Sequence, residues 1–255
     1  MSFSIYNLNI MEIKTVLITG ASHGIGRETA ALFAKQNYNV VINYNSSENE
    51  AKSLATELKS QGFDAIAVKA DVSKRNEVEE MFQTINKTFG DVHILVNNAG
   101  VESQKLFTDV TEDEWDRIFD INIKGMFNCC QLALKSMIKN HYGKIVNVSS
   151  MLGITGSSCE VAYSASKAAV IGLTKALAKE VGPCSINVNT VAPGVIDTKM
   201  NRKIAPEIIE RLKQQTPLGT IGTCEDIAET ILFLTSDCSK FITGQVISPN
   251  GGLVI

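Results

Sequence analysis

The chain has 255 residues, of which 44% are hydrophobic and 20% are charged, and its formal net charge is −3. This length is typical of one large domain and short for two. The near-neutral charge argues against nucleic acid as a main partner, because nucleic acid favours a basic face. No apolar run reaches the roughly 18 residues that cross a bilayer, so we also predict no membrane partner.

The chain starts with a segment that lies outside the regular pattern of the rest. Residues 1–11 lack basic side chains and a cleavage site, so we interpret them as an N-terminal extension and not as a signal peptide. Residues 12–255 are predicted to form a single domain.

The six cysteines form neither a C-x-x-C pair nor a finger-like metal spacing. This pattern predicts free thiols in a reducing compartment and no metal site. We therefore expect a cytoplasmic protein.

Short β-branched runs alternate with longer helical patterns along the chain. The predicted strands are, in order, KTVLITG, NVVINY, DAIAVKAD, VHILVNNAG, GKIVNVSS, SINVNTVAPG and TGQVISPNGG. Their continuous apolar character indicates that both faces of the sheet are covered, as in a parallel sheet. The alternation predicts an α/β fold with a doubly wound parallel sheet of about seven strands, flanked by helices.

Several polar residues and glycines indicate where the helices begin and end. Ser47 is predicted to cap the second helix and Gly62 to end it. Thr111 and Glu114 have the spacing of a capping box before the long helical segment that ends near residue 140. Residues 195–225 interrupt the alternation with prolines and glycines, and we expect them to form a lid over the site.

A glycine-rich segment, TGASHGIG, joins the first predicted strand to the first predicted helix. Gly20, Gly24 and Gly26 carry no side chain that would keep a pyrophosphate from the backbone. The helix N-terminus behind them presents free N–H groups and the positive end of its dipole. Elsewhere such a pattern indicates only a tight turn, but between a strand and a helix it predicts a dinucleotide site.

The end of the second predicted strand indicates which nicotinamide cofactor is used. An acidic residue there would bind the adenosine ribose hydroxyls and repel a 2′-phosphate, but no carboxylate precedes Glu48. Asn45, Ser46 and His23 can hydrogen-bond a phosphate instead. We therefore expect NADPH/NADP+, with NAD(H) as the alternative because this stretch has no Lys or Arg.

The ends of the third and fourth predicted strands carry further candidates. Asp71 either reaches the adenine amino group or caps the helix that follows. The NNAG sequence at 97–100 contains two poor strand formers. Its small residues would let the backbone pass beneath a cofactor.

A tyrosine and a lysine four residues apart, Tyr163 and Lys167, share one face of a predicted helix. A free tyrosine, with a pKa of about 10, is a weak base near neutrality. The Lys167 cation, together with a positively charged nicotinamide, would favour the phenolate. Ser150, after the fifth strand, would polarise a substrate carbonyl, and Asn122 could anchor a water that links Lys167 to solvent.

Each of these four residues, taken singly, also fits a structural role: a helix edge, a strand-end cap or a hydrogen bond within a helix. Their occurrence together with the glycine loop indicates hydride-transfer chemistry between a ketone and a secondary alcohol.

The motifs TGASHGIG, NNAG, INIKG, VNVSS, YSASK and APG resemble, in order and spacing, those of the short-chain dehydrogenase/reductase family. The chain is most similar to the 3-oxoacyl-acyl-carrier-protein reductases of that family, which act in fatty acid biosynthesis. The resemblance implies a Rossmann-like single domain, a homotetramer, NAD(P)(H), an acyl-thioester substrate and acyl carrier protein as a possible partner.

The resemblance also implies roles for particular residues. Asn122, Ser150, Tyr163 and Lys167 would form a catalytic tetrad, with Tyr163 and Lys167 also at the cofactor. Further cofactor contacts would come from the glycine loop and from residues that follow the strands, namely Ser22, His23, Ile25, Asp71, Val72, Asn98, Gly100, Pro193, Gly194, Ile196 and Thr198.

Two alternatives remain open from the sequence. One is an NAD(P)-dependent dehydrogenase of a sugar, polyol, steroid or other small alcohol. The other is a cofactor-binding protein without turnover.

Overall fold

The structure, a computed structural model, describes residues 13–198 and 205–255. The predicted N-terminal extension, residues 1–11, lies outside the described residues, as do residues 199–204 of the predicted lid. The described chain contains a seven-stranded sheet with helices between successive strands, so the predicted α/β, Rossmann-like doubly wound fold is confirmed.

The strands are short, and most of their residues are buried on both faces of the sheet. They are β1 (Thr15–Ile18), β2 (Asn39–Tyr44), β3 (Ala65–Lys69), β4 (Ile94–Asn97), β5 (Gly143–Val148), β6 (Ile186–Val191) and β7 (Val246–Ile247). Their order across the sheet is β3-β2-β1-β4-β5-β6-β7. Every neighbouring pair is parallel, as their continuous apolar sequence predicted.

The α-helices connect the strands and supply the apolar side chains that cover the sheet. They are α1 (Gly24–Lys35), α2 (Glu48–Ser60), α3 (Arg75–Phe89), α4 (Glu112–Phe119), α5 (Gly125–Lys139), α6 (Leu152–Thr155), α7 (Val161–Val181), α8 (Pro206–Gln215) and α9 (Cys224–Thr235). Within the described ranges, none of them is long and apolar enough to cross a membrane.

Two apolar clusters lie on opposite faces of the sheet. One joins β1, β2 and β4 to α1, α2 and α9 through side chains such as Phe33, Leu54 and Ile231. The other joins the same central strands to α3, α5 and α7 through residues such as Met81 and Met137. A sheet covered on both faces buries its strands completely, and ligands then reach only the strand ends.

The order in which the chain adds strands to the sheet changes direction at β1. From β1 the chain moves outwards through β2 and β3, and it then returns to the other side of β1 as β4. In open α/β sheets, ligands bind at the carboxyl ends of the strands beside such a reversal. The glycine loop after β1 and the NNAG segment after β4 both lie at this point.

The predicted helix ends were partly correct. Thr111 and Glu114 form the predicted capping box at the start of α4. Ser47 occupies the N-cap position of α2, but its side chain makes no capping hydrogen bond. The alternative that Asp71 caps α3 was wrong, because that helix starts at Arg75 with Lys74 at its N-cap.

The long helical segment predicted before β5 contains an irregular turn. A π-helical turn, Asp120–Lys124, separates α4 from α5. Such turns occur frequently at functional sites because they insert one extra residue into the helix and redirect its side chains. This turn contains Asn122, which is buried.

Candidate active site

The glycine loop follows β1 directly and opens α1. Gly20 and Gly24 have φ angles of +62° and +55°, a conformation that favours glycine. A Cβ on Gly20 would lie 2.9 Å from the Ala99 Cα, and one on Gly26 would lie 2.7 Å from the Gly20 carbonyl oxygen. The loop therefore packs tightly against the NNAG segment, with the N-terminus of α1 behind it. Ile25 lies partly buried in this helix and packs on the core.

Side chains on both sides hold this loop in place. The Thr19 Oγ1 accepts hydrogen bonds from the backbone N–H groups of Asn98 and Ala99, each at 3.0 Å. In return, the Asn98 amide donates to the carbonyl oxygens of Thr19 at 2.9 Å and Gly20 at 3.1 Å. On the other side, the Asn43 Oδ1 accepts from the Gly20 N–H at 3.3 Å. The Asn98 amide is thus a clamp on the loop, and its contact with a ribose remains a prediction.

A surface cleft of about 890 Å³ opens beside the loop. Four of the predicted cofactor residues line it: Ser22, His23, Gly24 and Thr198. A side-chain nitrogen of His23, Nε2, lies 3.4 Å from a Glu50 carboxylate oxygen, and its other ring nitrogen lies 3.0 Å from the Ser22 hydroxyl. The Glu50 carboxylate therefore places negative charge on this side of the cleft.

Polar residues extend this region along the strand ends. Asn45 and Ser46 are exposed immediately after β2. Asp71 is partly buried after β3, and its carboxylate accepts hydrogen bonds from the Ser73 N–H and hydroxyl at 2.9 and 2.7 Å. Val72 is buried, and its side chain fills the space beside Gly125, where a Cβ would lie 2.5 Å away.

The segment after β6 lies against the end of the chain. A Cβ on Gly194 would lie 2.7 Å from the Asn250 Cα, so the two backbones are in close contact. The Pro193 carbonyl accepts a hydrogen bond from the Met151 N–H at 2.9 Å, which ties this segment to the residue after Ser150. Ile196 forms a parallel bridge with Gly222.

The predicted catalytic residues converge at the carboxyl end of β5. Tyr163 is a partly exposed residue, and its hydroxyl forms a hydrogen bond with the side chain of Ser150. The Lys167 ammonium is buried, lies 5.6 Å from the centre of the Tyr163 ring and donates to the Val148 carbonyl at 2.9 Å. These contacts place a phenol, a hydroxyl and an ammonium around one point at the sheet edge.

Asn122 connects this group to the loop after β4. Its Oδ1 accepts from the Val101 N–H at 2.8 Å, and its amide donates to the Val101 carbonyl and to the Ser166 hydroxyl, both at 3.0 Å. The Ser166 hydroxyl in turn donates to the Tyr163 carbonyl at 2.7 Å. The side chain therefore fixes the wall of the site, and its predicted water-anchoring role remains a prediction.

Known proteins with the same sequence features support a specific family. A family model described as enoyl-(acyl carrier protein) reductase matches residues 20–254. The 3-oxoacyl-[acyl-carrier-protein] reductase FabG of Staphylococcus aureus is 43% identical, over 94% of this chain and 98% of its own. The FabG reductase of Thermotoga maritima is 42% identical, over 96% and 99% of the two chains.

Similarity to a solved structure agrees with this result. A putative gluconate dehydrogenase from Agrobacterium tumefaciens superposes with a TM-score of 0.91 at 33% identity, over 95% of this chain and 96% of its own. This chain belongs to the short-chain dehydrogenase/reductase family. It is an NAD(P)(H)-dependent oxidoreductase of that family, so the alternative of a protein without turnover is not supported.

The electrostatics of this dehydrogenase/reductase depend on the burial of Tyr163. Burial raises the pKa of Tyr163 to about 12, and the hydrogen bond from Ser150 opposes this rise only partly. The nearby carboxylates of Glu102 and Glu160 raise this pKa further. The groups of the protein by themselves thus hold Tyr163 as a protonated phenol, and the expectation that Lys167 and a positively charged nicotinamide together favour the phenolate stays a prediction.

The residues present fit a nicotinamide dinucleotide. The adenosine and pyrophosphate would fit at the glycine loop. Gly20 and Gly24 expose their backbone there, beside the N-terminus of α1 and the polar cleft. At the catalytic end, a Cβ on Gly100 would lie 3.3 Å from both the Lys167 ammonium and the Asn122 Oδ1, so a side chain there would crowd both groups. The cofactor would supply or accept a hydride there, and Lys167 would hold its ribose.

Sequence reasoning missed several residues that shape this site. Ser149 donates to the Lys167 carbonyl at 2.7 Å, and Ser166 links Asn122 to Tyr163. Glu102 and Glu160 contribute negative charge near Tyr163. The spacing of Glu160, one helical turn before Tyr163, was a signal that could have identified it.

The buried Lys167 predicts how activity depends on pH. Burial lowers its pKa from 10.5 to about 8, whereas Tyr163 remains a protonated phenol in this range. We expect kcat/KM for ketone reduction to fall as pH rises through about 8, because the ammonium loses its proton. Initial rates from about pH 6 to pH 10 measure this.

A flat profile across that range would contradict the assignment to Lys167. A Lys167→Arg variant that retains activity provides the control, because a guanidinium stays protonated throughout. In this variant, kcat/KM should no longer fall as the pH rises through about 8.

Proposed function

We propose that this protein interconverts a ketone and a secondary alcohol with NADP(H), and that its best-supported reaction is reduction of a 3-oxoacyl thioester. The observation that carries the proposal is the Tyr163 hydroxyl, hydrogen-bonded to Ser150 and one helical turn from the buried Lys167. The names of the relatives in Staphylococcus aureus and Thermotoga maritima support the thioester.

Burial of the tyrosine suits it to act as the proton donor in ketone reduction. A phenol whose pKa is raised to about 12 stays protonated at neutral pH and can give its proton to a substrate oxygen. The Ser150 hydroxyl can donate a second hydrogen bond to the same oxygen as negative charge develops on it. Lys167 stabilises the resulting phenolate, and Asn122 fixes the adjoining loop at Val101 and binds the Ser166 hydroxyl on the helix that carries Lys167.

The choice of NADP(H) is supported by the end of β2. Asn45 and Ser46 are exposed there and place no carboxylate against a 2′-phosphate. Glu50 lies near His23, which weakens the positive potential on that side, so NAD(H) remains the alternative cofactor.

The relatives' names also support a metabolic role and a partner protein. As for those reductases, we infer a role in fatty acid biosynthesis, with acyl carrier protein as a partner. The six cysteines are unpaired thiols, which supports the cytoplasm, where thiols stay reduced.

We further propose a homotetramer. On α5, Phe127 and Ile138 are 49% and 43% exposed although the opposite side of the helix is packed on the core. A helix with apolar residues on more than one face favours burial against another chain. A monomer in size-exclusion chromatography at working concentration would contradict this proposal.

A second candidate is a dehydrogenase of a small polar alcohol. The structural neighbour with the TM-score of 0.91 is named a putative gluconate dehydrogenase. This candidate uses the same four residues, and it differs in its substrate.

Initial rates with NADPH and NADH against acetoacetyl thioesters, simple ketones and polyols separate these functions. We expect acetoacetyl thioester to be reduced, with NADPH preferred by more than about tenfold in kcat/KM, or about 1.4 kcal/mol. A tenfold preference for NADH would overturn the cofactor assignment. Polyol oxidation without thioester reduction would favour the second candidate.

A further inference from the structure

Ser149 lies where the end of β5 meets β6 and α7. It follows the last residue of β5, and it is buried. Its backbone N–H donates to the Val191 carbonyl of β6 at 2.7 Å, and its hydroxyl donates to the Lys167 carbonyl of α7 at 2.7 Å. One buried serine therefore joins two strands to the helix that carries Tyr163 and Lys167.

Lys167 is bound to this strand end at two points. Its ammonium donates to the Val148 carbonyl at 2.9 Å, and its own carbonyl accepts from the next residue of the strand end, Ser149. A lysine side chain has a flexible four-carbon stem, so a bond at the ammonium alone does not fix the course of α7 past the strand. The bond at the carbonyl fixes where the helix passes, and the two bonds together fix where the ammonium lies.

The residue after Ser149 belongs to the proposed catalytic group. The Ser150 hydroxyl is bonded to the Tyr163 hydroxyl and accepts from the Leu152 N–H at 3.1 Å. The two serines thus contact the same helix one turn apart, Ser150 at Tyr163 and Ser149 at Lys167. A serine hydroxyl has one hydrogen to donate, and that of Ser149 is used on the Lys167 carbonyl. Ser149 is therefore not a second donor to the substrate oxygen.

The short helix α6 packs closely against this junction at Gly153. A Cβ on Gly153 would lie 2.7 Å from the Lys167 carbonyl carbon, 2.8 Å from its oxygen and 2.9 Å from the Ser149 hydroxyl oxygen. The Gly153 N–H also donates to the Ser150 carbonyl at 2.9 Å. The bond between Ser149 and Lys167 is thus enclosed by β5, α6 and α7, and a hydrogen bond shielded from water is stronger than an exposed one.

We propose that Ser149 is a positioning residue for ketone reduction, which sets the place of the Lys167 ammonium relative to the Tyr163 and Ser150 hydroxyls. The inference rests on the ketone-reductase part of the proposed function, and it holds for a 3-oxoacyl thioester as for any other ketone. The alternative is that Ser149 only attaches α7 to the sheet.

Thr174 provides the comparison for that alternative. It is buried, and its Oγ1 accepts hydrogen bonds from the Asn147 amide of β5 at 2.9 Å and from the Thr190 hydroxyl of β6 at 2.8 Å. These bonds join α7 to the same two strands as Ser149 does, but about two helical turns beyond Lys167. Loss of either attachment affects the packing of α7, whereas only the loss of Ser149 acts on Lys167 directly.

Ser149→Ala removes the hydroxyl and tests the proposal by activity. We expect kcat for reduction of an acetoacetyl thioester with NADPH to fall at least about tenfold, because a displacement of about 1 Å at a reacting group can cost about 100-fold. In the parent, we expect kcat/KM to fall as pH rises through about 8, where burial places the pKa of Lys167. In Ser149→Ala this fall should move to higher pH, because an ammonium no longer held in its buried place regains water.

A second readout needs neither substrate nor cofactor. The pKa of Lys167 in the free protein is measured by NMR of its side chain, with Lys167→Arg to assign the signal. We expect a pKa of about 8 in the parent and a value nearer the ordinary 10.5 in Ser149→Ala. The matched control, Thr174→Val, should lower the free energy of unfolding, because it leaves the buried Asn147 amide without its acceptor. It should keep kcat and the pKa of Lys167.

If Ser149→Ala does not fold, Gly153→Ala tests the same bond from the side of α6, and it should change kcat and the pKa of Lys167 in the same directions. An unchanged kcat and pKa in Ser149→Ala, or an equal loss of kcat in Ser149→Ala and Thr174→Val, would overturn the positioning role. A parent that reduces no ketone or thioester with either cofactor would overturn the proposed function, and the NMR comparison would still decide for or against the role of Ser149.

Discussion

Tyr163→Phe should lower kcat for ketone reduction by about 10²- to 10⁴-fold, the range that a positioned general acid contributes. The substitution removes a single hydroxyl, which is hydrogen-bonded to Ser150 and is the proton donor in the proposed reaction. The ring itself remains, so the packing of α7 should be kept. Steady-state rates with NADPH and an acetoacetyl thioester measure the loss.

Two controls separate this effect from misfolding. NADPH binding, followed by nucleotide fluorescence, should change by no more than a few-fold in Tyr163→Phe. Tyr142→Phe removes a hydroxyl that binds the Lys14 ammonium at 2.9 Å at the opposite end of the strands, and it should leave kcat unchanged. Normal turnover by Tyr163→Phe would refute the mechanism.

Gly26→Ala should weaken both NADPH binding and the fold. The added Cβ would lie 2.6 Å from the Asn98 amide nitrogen, 2.7 Å from the Gly20 carbonyl oxygen and 2.9 Å from the Ala21 Cα. Two of these neighbours are backbone atoms of the glycine loop, so the loop itself must shift. Overpacking of this kind lowers the free energy of unfolding by about 1–3 kcal/mol, and we expect NADPH affinity to fall at least about tenfold, or about 1.4 kcal/mol.

The matched control uses a glycine with free space around it. Gly172 lies inside α7, and a Cβ there would meet no atom within 4 Å. Gly172→Ala should therefore raise the free energy of unfolding by about 0.5–1 kcal/mol, because alanine is the better helix former, and should keep NADPH affinity. Calorimetry and denaturant unfolding of both variants give the comparison. Equal NADPH affinity in Gly26→Ala and the parent would show that the loop does not approach the cofactor.

The local sequence was sufficient to predict those features of the structure that neighbouring residues determine. Alternating β-branched runs and helical patterns predicted seven parallel strands, and the Thr111–Glu114 spacing predicted a capping box that the structure contains. Asp71 shows the limit of such reasoning, since it precedes a helix and favours caps but lies four residues before the first helical residue. Its carboxylate is instead bound by Ser73.

Buried polar contacts were beyond the reach of the sequence because their partners are far apart along the chain. Asn98 was predicted at a ribose, yet its amide is bound to carbonyl groups 78 and 79 residues away. The π-helical turn that carries Asn122 is another example, since Asn122 is held by Val101, 21 residues earlier, and by Ser166, 44 residues later. No periodic pattern in the sequence predicts either of these contacts.

The sequence by itself determined the fold class and the family and predicted the glycine loop and four candidate catalytic residues, because these depend on spacing within a few residues or within one strand–helix unit. Only the tertiary structure decided the electrostatics of the site. Burial raises the pKa of Tyr163 to about 12, and the loop after β4 is bonded to the segment before α7 through the Lys105 N–H and the Cys159 carbonyl. The physical reason is that desolvation and charge–charge interactions depend on distances in space, which packing of remote segments alone sets.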